Sequence, residues 1–379
     1  MPTISNLKAD LKRLAAEVGF DLAGVAGVAD APEHRFFPEW IAEGRAGEMK
    51  YLEARNNAGE LKRASLANAA PWARSVVACA LNYNPDRPYS THAGAATQGW
   101  ISRYAWSQRD YHDVLLEKLR ILEARLLDLC EQQQVPAPRT WCYVDTGPII
   151  ERIFAKYAGI GWIGKNTCVL NQRLGSWLLL GVIVTSLPVE EGSGTAVLAA
   201  MDRCGTCTRC IDACPTGALL GGQDPAAQRE MDASRCIAYL TIEKKGSIDE
   251  GLRAAMGRQV FGCDICQDVC PWNRKAPIGA SEAMQARREL INPALEWLAG
   301  LDAKEFKRRF RGSPLERTGR KRLLRNVAIA MGNSGDDCFL PQLQQWQVDE
   351  DPVLAEAAAW AQMQILARED TPTGKIPWM

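Results

Sequence analysis

The chain of 379 residues is long enough for two or three domains. It is 47% hydrophobic and 24% charged, an ordinary balance for a globular protein, and its 45 Lys plus Arg match its 45 Asp plus Glu. No global charge therefore pulls it towards nucleic acid or a membrane surface. The first residues show no basic patch followed by an apolar stretch, and the longest apolar run, Trp177–Val184, falls short of the roughly 20 residues a spanning helix needs. These features predict a cytoplasmic protein with no membrane partner.

In chain order, Ile4, Leu7, Leu11, Leu14 and Ala15 carry helical spacing, and Leu22–Val28 and Ser75–Leu81 read as strands. Asp110 is placed to cap an amphipathic helix through Leu115, Leu119, Leu122 and Leu126. A strand over Thr140–Val144, a helix over Pro148–Tyr157 and apolar runs at Cys168–Leu170 and Trp177–Val184 follow. This alternation predicts an α/β or α+β domain over residues 1–197. Residues 198–275 turn to Cys, Gly and Pro, and a metal rather than an apolar core is expected to set their size. Beyond them, over 276–379, only helical segments appear: Leu290–Leu298, Ala303–Phe310, Arg320–Met331, Phe339–Trp346 and Pro352–Leu366. Their short paired pattern is HEAT-like.

Thirteen cysteines in a cytosolic chain argue against a disulfide framework. Cys79, Cys130, Cys142, Cys168 and Cys338 are scattered and read as small buried apolar residues. The other eight are clustered. Cys204-Gly-Thr-Cys207-Thr-Arg-Cys210-Ile-Asp-Ala-Cys214-Pro215 matches the bacterial ferredoxin run C-x2-C-x2-C-x3-C-P, in which three thiolates hold one cluster and the fourth crosses to the other. A second run, Cys263-Asp-Ile-Cys266-Gln-Asp-Val-Cys270-Pro271, has Val260 where its first cysteine belongs, and Cys236 is the remaining thiol to fill the vacancy. The pattern assigns Cys204, Cys207, Cys210 and Cys270 to one 4Fe–4S cluster, and Cys214, Cys236, Cys263 and Cys266 to a second. A structural zinc site also uses Cys-x2-Cys pairs, but calls for neither a third cysteine three residues on nor two Cys-Pro endings.

Gly159-Ile-Gly161-Trp-Ile-Gly164-Lys165 mimics nucleotide-binding loops, but a helix precedes it and a strand follows, the reverse of what those loops require. The glycines suit close backbone approach to something bulky. Asp145 ends a strand before Gly-Pro. That pattern fits a turn or cap as well as a strand-end catalytic acid. His34, His92 and His112 form no metal-binding pair, and His112 reads as a helix-surface or core residue. Between Lys304 and Arg325 stand ten cations (Lys304, Lys307, Arg308, Arg309, Arg311, Arg317, Arg320, Lys321, Arg322 and Arg325) against two acids, Glu305 and Glu316. A solvated helix face is one reading; an RNA phosphate track fits the concentration of charge better.

With these pieces placed, the chain resembles the epoxyqueuosine reductase family over nearly its whole length. The resemblance rests on Ile101-Ser-Arg-Tyr-Ala, Asp110-Tyr-His112, Val144-Asp-Thr-Gly-Pro-Ile-Ile-Glu-Arg152 and Ala158-Gly-Ile-Gly-Trp-Ile-Gly-Lys-Asn166. Both cysteine runs, Cys236-Ile-Ala-Tyr-Leu-Thr-Ile-Glu243 and Leu323-Leu-Arg-Asn-Val-Ala-Ile-Ala-Met-Gly332 complete it. It implies reduction of epoxyqueuosine to queuosine at the wobble position of tRNA, an N-terminal domain like that of reductive dehalogenases, and a cobalamin at the end of the electron path. It further implies Asp145 as proton donor, with Arg63, Asn166, Val169, Ala238 and Asp264 beside the cofactor. No D-x-H-x-x-G motif supplies a histidine to cobalt, so base-off cob(II)alamin is expected. Lys304, Lys307, Arg308, Arg320, Lys321, Arg322 and Arg325 are the expected tRNA contacts. An external low-potential donor of flavodoxin or ferredoxin type would feed the clusters. A reductive dehalogenase and a ferredoxin-like carrier are the alternatives; neither needs the basic stretch, and a carrier hardly needs the long domain before the clusters.

Overall fold

A computed structural model describes residues 7–28, 31–92, 94–189, 199–221 and 229–369. Ile4 of the first predicted helix and the predicted boundary at 197/198 lie outside them.

Helix α1 (Lys8–Val18) leads into β1 (Leu22–Gly27), α2 (Pro32–Ala42), the short α3 (Leu66–Ala69), β2 (Ser75–Asn82) and β3 (Trp100–Ile101). Then come α4 (Tyr111–Gln132), β4 (Thr140–Tyr143), α5 (Glu151–Tyr157), β5 (Trp162–Ile163), β6 (Val169–Leu170) and β7 (Leu178–Thr185). The main sheet has the order β1-β2-β7-β4. Every neighbouring pair in it is antiparallel, which corrects the α/β expectation for this part of the chain.

Strand β2 is buried along its whole length, yet its side chains still alternate in period 2 between two cores. Val77, Cys79 and Leu81 join Leu11 of α1 and Leu115, Leu119 and Leu122 of α4. Val76, Ala78 and Ala80 face Leu66 of α3 and Phe154 and Ala155 of α5. Helix α5 lies so close to β1 that a Cβ on Gly24 would sit 2.2 Å from the Ala158 carbonyl oxygen. It begins at Glu151, three residues later than the periodicity predicts, because Ile150 is non-helical (φ −106°, ψ 85°).

The cysteine-rich part holds α6 (Arg209–Asp212), α7 (Ile237–Ile242), α8 (Glu250–Arg253), β8 (Gln259–Phe261) and α9 (Ile265–Asp268). It is followed by α10 (Leu295–Ala299), α11 (Ala303–Phe310), α12 (Gly319–Ser334), α13 (Leu340–Trp346) and α14 (Pro352–Glu369). Contrary to the expectation of a metal-sized unit, Ile237, Leu240, Val260 and Phe261 share one apolar core with Leu324 and Val327 of α12 and Ala358 of α14. Burial of such side chains is worth about 1.5–3 kcal/mol each, so this part is anchored by packing as well as by its thiols. Strand β8 also pairs with β3, which ties the cluster region to the first domain.

The glycine run behaves as its order demands: α5 precedes it, β5 lies within it and β6 follows. A Cβ on Gly161 would lie 2.2 Å from the Leu170 carbonyl oxygen, so the close approach it allows is to the chain's own strand β6.

Candidate active site

Asp145 stands at the end of β4 with a left-handed backbone (φ 48°), a conformation that few non-glycine residues hold without support. The support is visible. The Asp145 N–H donates to Glu151 Oε1 at 2.5 Å, across the turn that joins β4 to α5. Tyr111, the first residue of α4, donates its phenol to Asp145 Oδ2 at 2.5 Å, and His112 Nε2 lies 3.3 Å from the same oxygen. On its other face, His112 Nδ1 is 2.8 Å from Oδ1 of Asp110, the residue whose side chain caps α4. Arg317 closes the array by donating to both Asp110 carboxylate oxygens, at 2.8 and 2.6 Å.

The electrostatics follow from these contacts. Burial pushes the Asp145 carboxyl up, but the hydrogen bond and charge of His112 and the Tyr111 phenol outweigh it, leaving it below the usual range. Burial likewise works against a charged His112, and its bonds to Asp110 and Asp145 overcome that and raise its pKa. Asp110 is held down at about 2: burial acts upward and is outweighed by His112 and Arg317. The opposite directions give a proton of the array to His112 in preference to Asp145, whose side chain is 52% exposed. Glu151 goes the other way, lifted to about 7 chiefly by burial.

A cavity of about 670 Å³ is lined by Arg63, Ile150, Arg152, Ile153, Trp162 and Thr167 among others; Ile150 and Arg152 flank Glu151, whose carboxylate holds the Asp145 turn. Arg63 donates to the Ile149 carbonyl at 3.1 Å, and its Nε is buried with no partner among the described residues. Asn166, 4% exposed, has an equally orphaned Nδ2. Two buried donors left unsatisfied cost about 1–3 kcal/mol each unless something fills the space. Val169 is buried in the core against α5. Asp264 is fully engaged: its carboxylate accepts from Ser102, from Ser90 Oγ at 2.9 Å and from the Arg103 N–H at 2.7 Å. Ala238 contributes its backbone N–H to the Cys236 sulfur.

The cysteines form two groups. Burial, then the charges of Cys204, Cys270 and Cys207, push the Cys210 thiol up to about 12. Cys263 is raised by burial and then by Cys236 and, more weakly, Cys214. Cys263 and Cys236 also act on Cys266. Within each group the cysteines are near enough to raise one another's pKa, and a cationic iron–sulfur core would offset the charge of their thiolates. Among the stray cysteines, Cys79 and Cys130 are buried as expected, whereas Cys338 is exposed. Cys168 is more than packing: its thiol bonds to Cys266.

The basic stretch divides. Lys304, Lys307, Arg308 and Lys321 are exposed. Arg325 is 1% exposed and donates to the carbonyls of Lys244, Gly246 and Leu240, so the expectation of a phosphate contact there is corrected: a guanidinium closed in by main-chain oxygens has no free edge. Arg322 is directed to the carbonyls of Ile242, Arg317 and Thr318, and Arg320 to that of Leu301, which binds them into the fold as well. Sequence reasoning did not single out Tyr111, His112, Glu151 or Arg317 for this site. The signal for His112 was present in the Asp110 cap, which fixes the first turn of α4; nothing local told that the turn faces β4 or that Arg317 reaches it.

The family model of the 4Fe-4S double cluster binding domain matches residues 203–273. The chain thus carries a double-cluster 4Fe–4S binding domain, the mark of an iron–sulfur protein. A second model, of epoxyqueuosine reductase QueG, matches residues 63–146. Epoxyqueuosine reductase of Xanthomonas campestris is 35% identical, with 95% of this chain and 96% of the relative covered. That of Escherichia coli is 33% identical over 97% and 92%. Among solved structures, an epoxyqueuosine reductase with an epoxyqueuosine-modified tRNA-Tyr stem loop superposes with a TM-score of 0.80 at 32% identity, covering 96% of this chain and 91% of that one. The Streptococcus thermophilus enzyme gives 0.79 at 28% identity, with 99% and 95% covered. The chain belongs to the epoxyqueuosine reductase family.

Proposed function

We propose that this protein reduces epoxyqueuosine in tRNA to queuosine, an oxidoreductase step of tRNA modification. Opening the epoxide to an alkene consumes two electrons and two protons and releases water. The observation that carries the reading is the Asp145–His112–Asp110 array. The departing oxygen is a poor leaving group as an alkoxide, and an acid must protonate it as the C–O bond breaks. His112 holds that proton at rest. When substrate fills the recess and displaces water, the charged Asp145 carboxyl becomes costlier, the proton passes from His112 Nε2 to Asp145, and Asp145 delivers it. Asp110 and Arg317 keep the imidazole in register.

Cobalamin is the group this reading expects: Arg63, which lines the cavity, and Asn166 each carry a buried donor with no partner among the described residues, and these would bond its amide side chains, while Val169, Ala238 and Asp264 stay the neighbours that the family resemblance implies. When bound, it would supply the strong reducing power the ring carbon requires. Base-off cob(II)alamin stays the form expected from the absent D-x-H-x-x-G motif, and His112 would offer it no nitrogen, because both imidazole nitrogens face carboxylates. The two 4Fe–4S clusters take the ligand sets given above, and an external low-potential carrier reduces them. The reading keeps a catalytic domain at 1–197, a ferredoxin-like domain at 198–275 and a HEAT-like tRNA-binding domain at 276–379. Lys304 and Lys307 are exposed cations with no ion pair among the described residues, and Arg308 and Lys321, exposed but paired with Glu305 and Asp351, would have to exchange those carboxylates for phosphate.

The test is anaerobic turnover of epoxyqueuosine-containing tRNA with the iron–sulfur- and cobalamin-loaded protein, with the nucleosides followed by mass spectrometry. Loss of one oxygen from the modified nucleoside is expected. Unchanged epoxyqueuosine with fully loaded protein and a competent reductant would overturn the reading.

A further inference from the structure

An electron must enter the molecule at an exposed edge, and the surroundings of the two thiol groups differ. Cys263 and Cys266 are half-buried and flanked by the buried Gly262, Asp264 and Gln267. Cys204, Cys207 and Cys210 are half-buried too, but on a loop whose Gly205 and Thr206 are exposed, with Cys270 buried. Trp162 Nε1 donates to Cys204 Sγ at 3.4 Å, and the Trp162 and Trp272 rings meet edge-on at 5.2 Å.

Three segments surround that edge. One is the 171–175 turn, where a Cβ on Gly175 would lie 3.0 Å from the Trp272 carbonyl oxygen. The second is the 201–210 loop, whose Arg203 reaches the Gln172 amide. The third follows Cys270 through Trp272. On them stand Arg173, Arg203, Arg209, Arg274 and Lys275, all exposed. None of the five has an ion-pair partner among the described residues. Asp202, the one acid of these segments, is taken by Arg229, and Asp212 just beyond them is exposed without an ion pair among the described residues. In their midst Met201 is 75% exposed, among the most exposed large apolar side chains described.

We infer that this rim is the docking surface for an acidic one-electron carrier protein, which passes electrons to the Cys204–Cys207–Cys210–Cys270 cluster. The inference rests on the cluster assignment of the proposed function. A small apolar centre in a ring of unpaired charge suits a transient electron-transfer complex, where steering sets the encounter rate and a small interface permits release. RNA phosphate could use the charge, but it would gain nothing from contact with the cluster edge.

The experiment follows bleaching of the clusters by a reduced acidic flavodoxin in a stopped-flow instrument, without tRNA, so it does not depend on epoxide turnover. For the unmodified protein the second-order rate should fall steeply with added salt. In the triple variant Arg203→Glu, Arg274→Glu, Lys275→Glu it should drop at least about tenfold at low salt and lose its salt dependence. Reduction by methyl viologen radical should match the unmodified protein within a fewfold, as should iron and sulfide content. A rate from flavodoxin that ignores both salt and the charge reversals overturns the inference. So does an unchanged flavodoxin rate joined to weakened tRNA binding, which would give the patch to RNA. If the reversals damage the clusters, Arg274→Gln with Lys275→Gln and the salt profile of the unmodified protein decide the matter.

Discussion

Glu151 Oε1 accepts the main-chain N–H of Asp145 at 2.5 Å, and this bond holds the proposed acid in a left-handed turn. The two residues are neighbours in one short segment, so the turn carries its own latch. Glu151→Ala should release the turn and lower kcat by roughly tenfold or more, since left-handed backbone costs about 1–3 kcal/mol when unsupported. The KM for tRNA should stay within a fewfold. Glu151→Gln keeps a carbonyl acceptor and should restore most of the activity; equal losses in both variants would mean that the latch is not what matters.

The same carboxyl predicts a pH effect on stability. Its pKa in the fold is about 7, above the ordinary value of 4.5, so the folded protein binds the proton more tightly than the unfolded chain. Its contribution is fully present below the ordinary carboxylate range and is lost as pH rises through about 7. Thermal melts of Glu151→Gln should converge on the unmodified protein at low pH and exceed it at pH values above 7. A variant that loses stability on the alkaline side would contradict this.

Asp145→Asn preserves size but removes the transferable proton. Turnover should fall about 100- to 10,000-fold with cluster content intact. His112→Gln should also slow turnover. It should remove the alkaline limb of the kcat profile, because His112 has the raised pKa and loses its proton as pH climbs. Near-normal turnover in Asp145→Asn would return Asp145 to the role of a turn residue.

Cys270→Ser should damage the cluster held by Cys204, Cys207 and Cys210, the group with which it shares charge. Paramagnetic resonance should show one altered signal and iron analysis a loss confined to that site. Selective loss of the Cys263 and Cys266 site instead would reverse the ligand assignment.

The cations of the basic stretch should separate by burial. Lys304→Glu with Lys307→Glu and Arg308→Glu should raise the tRNA KM and flatten the salt dependence of binding by roughly 0.9 per lost phosphate contact. Arg325→Ala should instead lower the melting temperature, because it strips one buried and two half-buried carbonyls of their donor. Circular dichroism and filter binding on the two proteins distinguish these outcomes.

What the sequence determined by itself was local. Ligand spacing in Cys204–Cys214 and Cys263–Cys270, the period-2 run of β2 and the Asp110 cap of α4 each depend on a few consecutive residues, and the structure has β2 and α4 where they were expected. Tertiary structure decided what depends on residues far apart. The strand pattern could not tell parallel from antiparallel pairing, since both bury alternate side chains, and the sheet is antiparallel. Charge spacing could not tell Lys304, which faces water, from Arg325, which is closed in by carbonyls contributed from around α7. Nor could it show that Arg317 grips Asp110 from more than two hundred residues away and so fixes His112 against Asp145. A proton's location is set by the local field, and that field comes from side chains that only folding brings together.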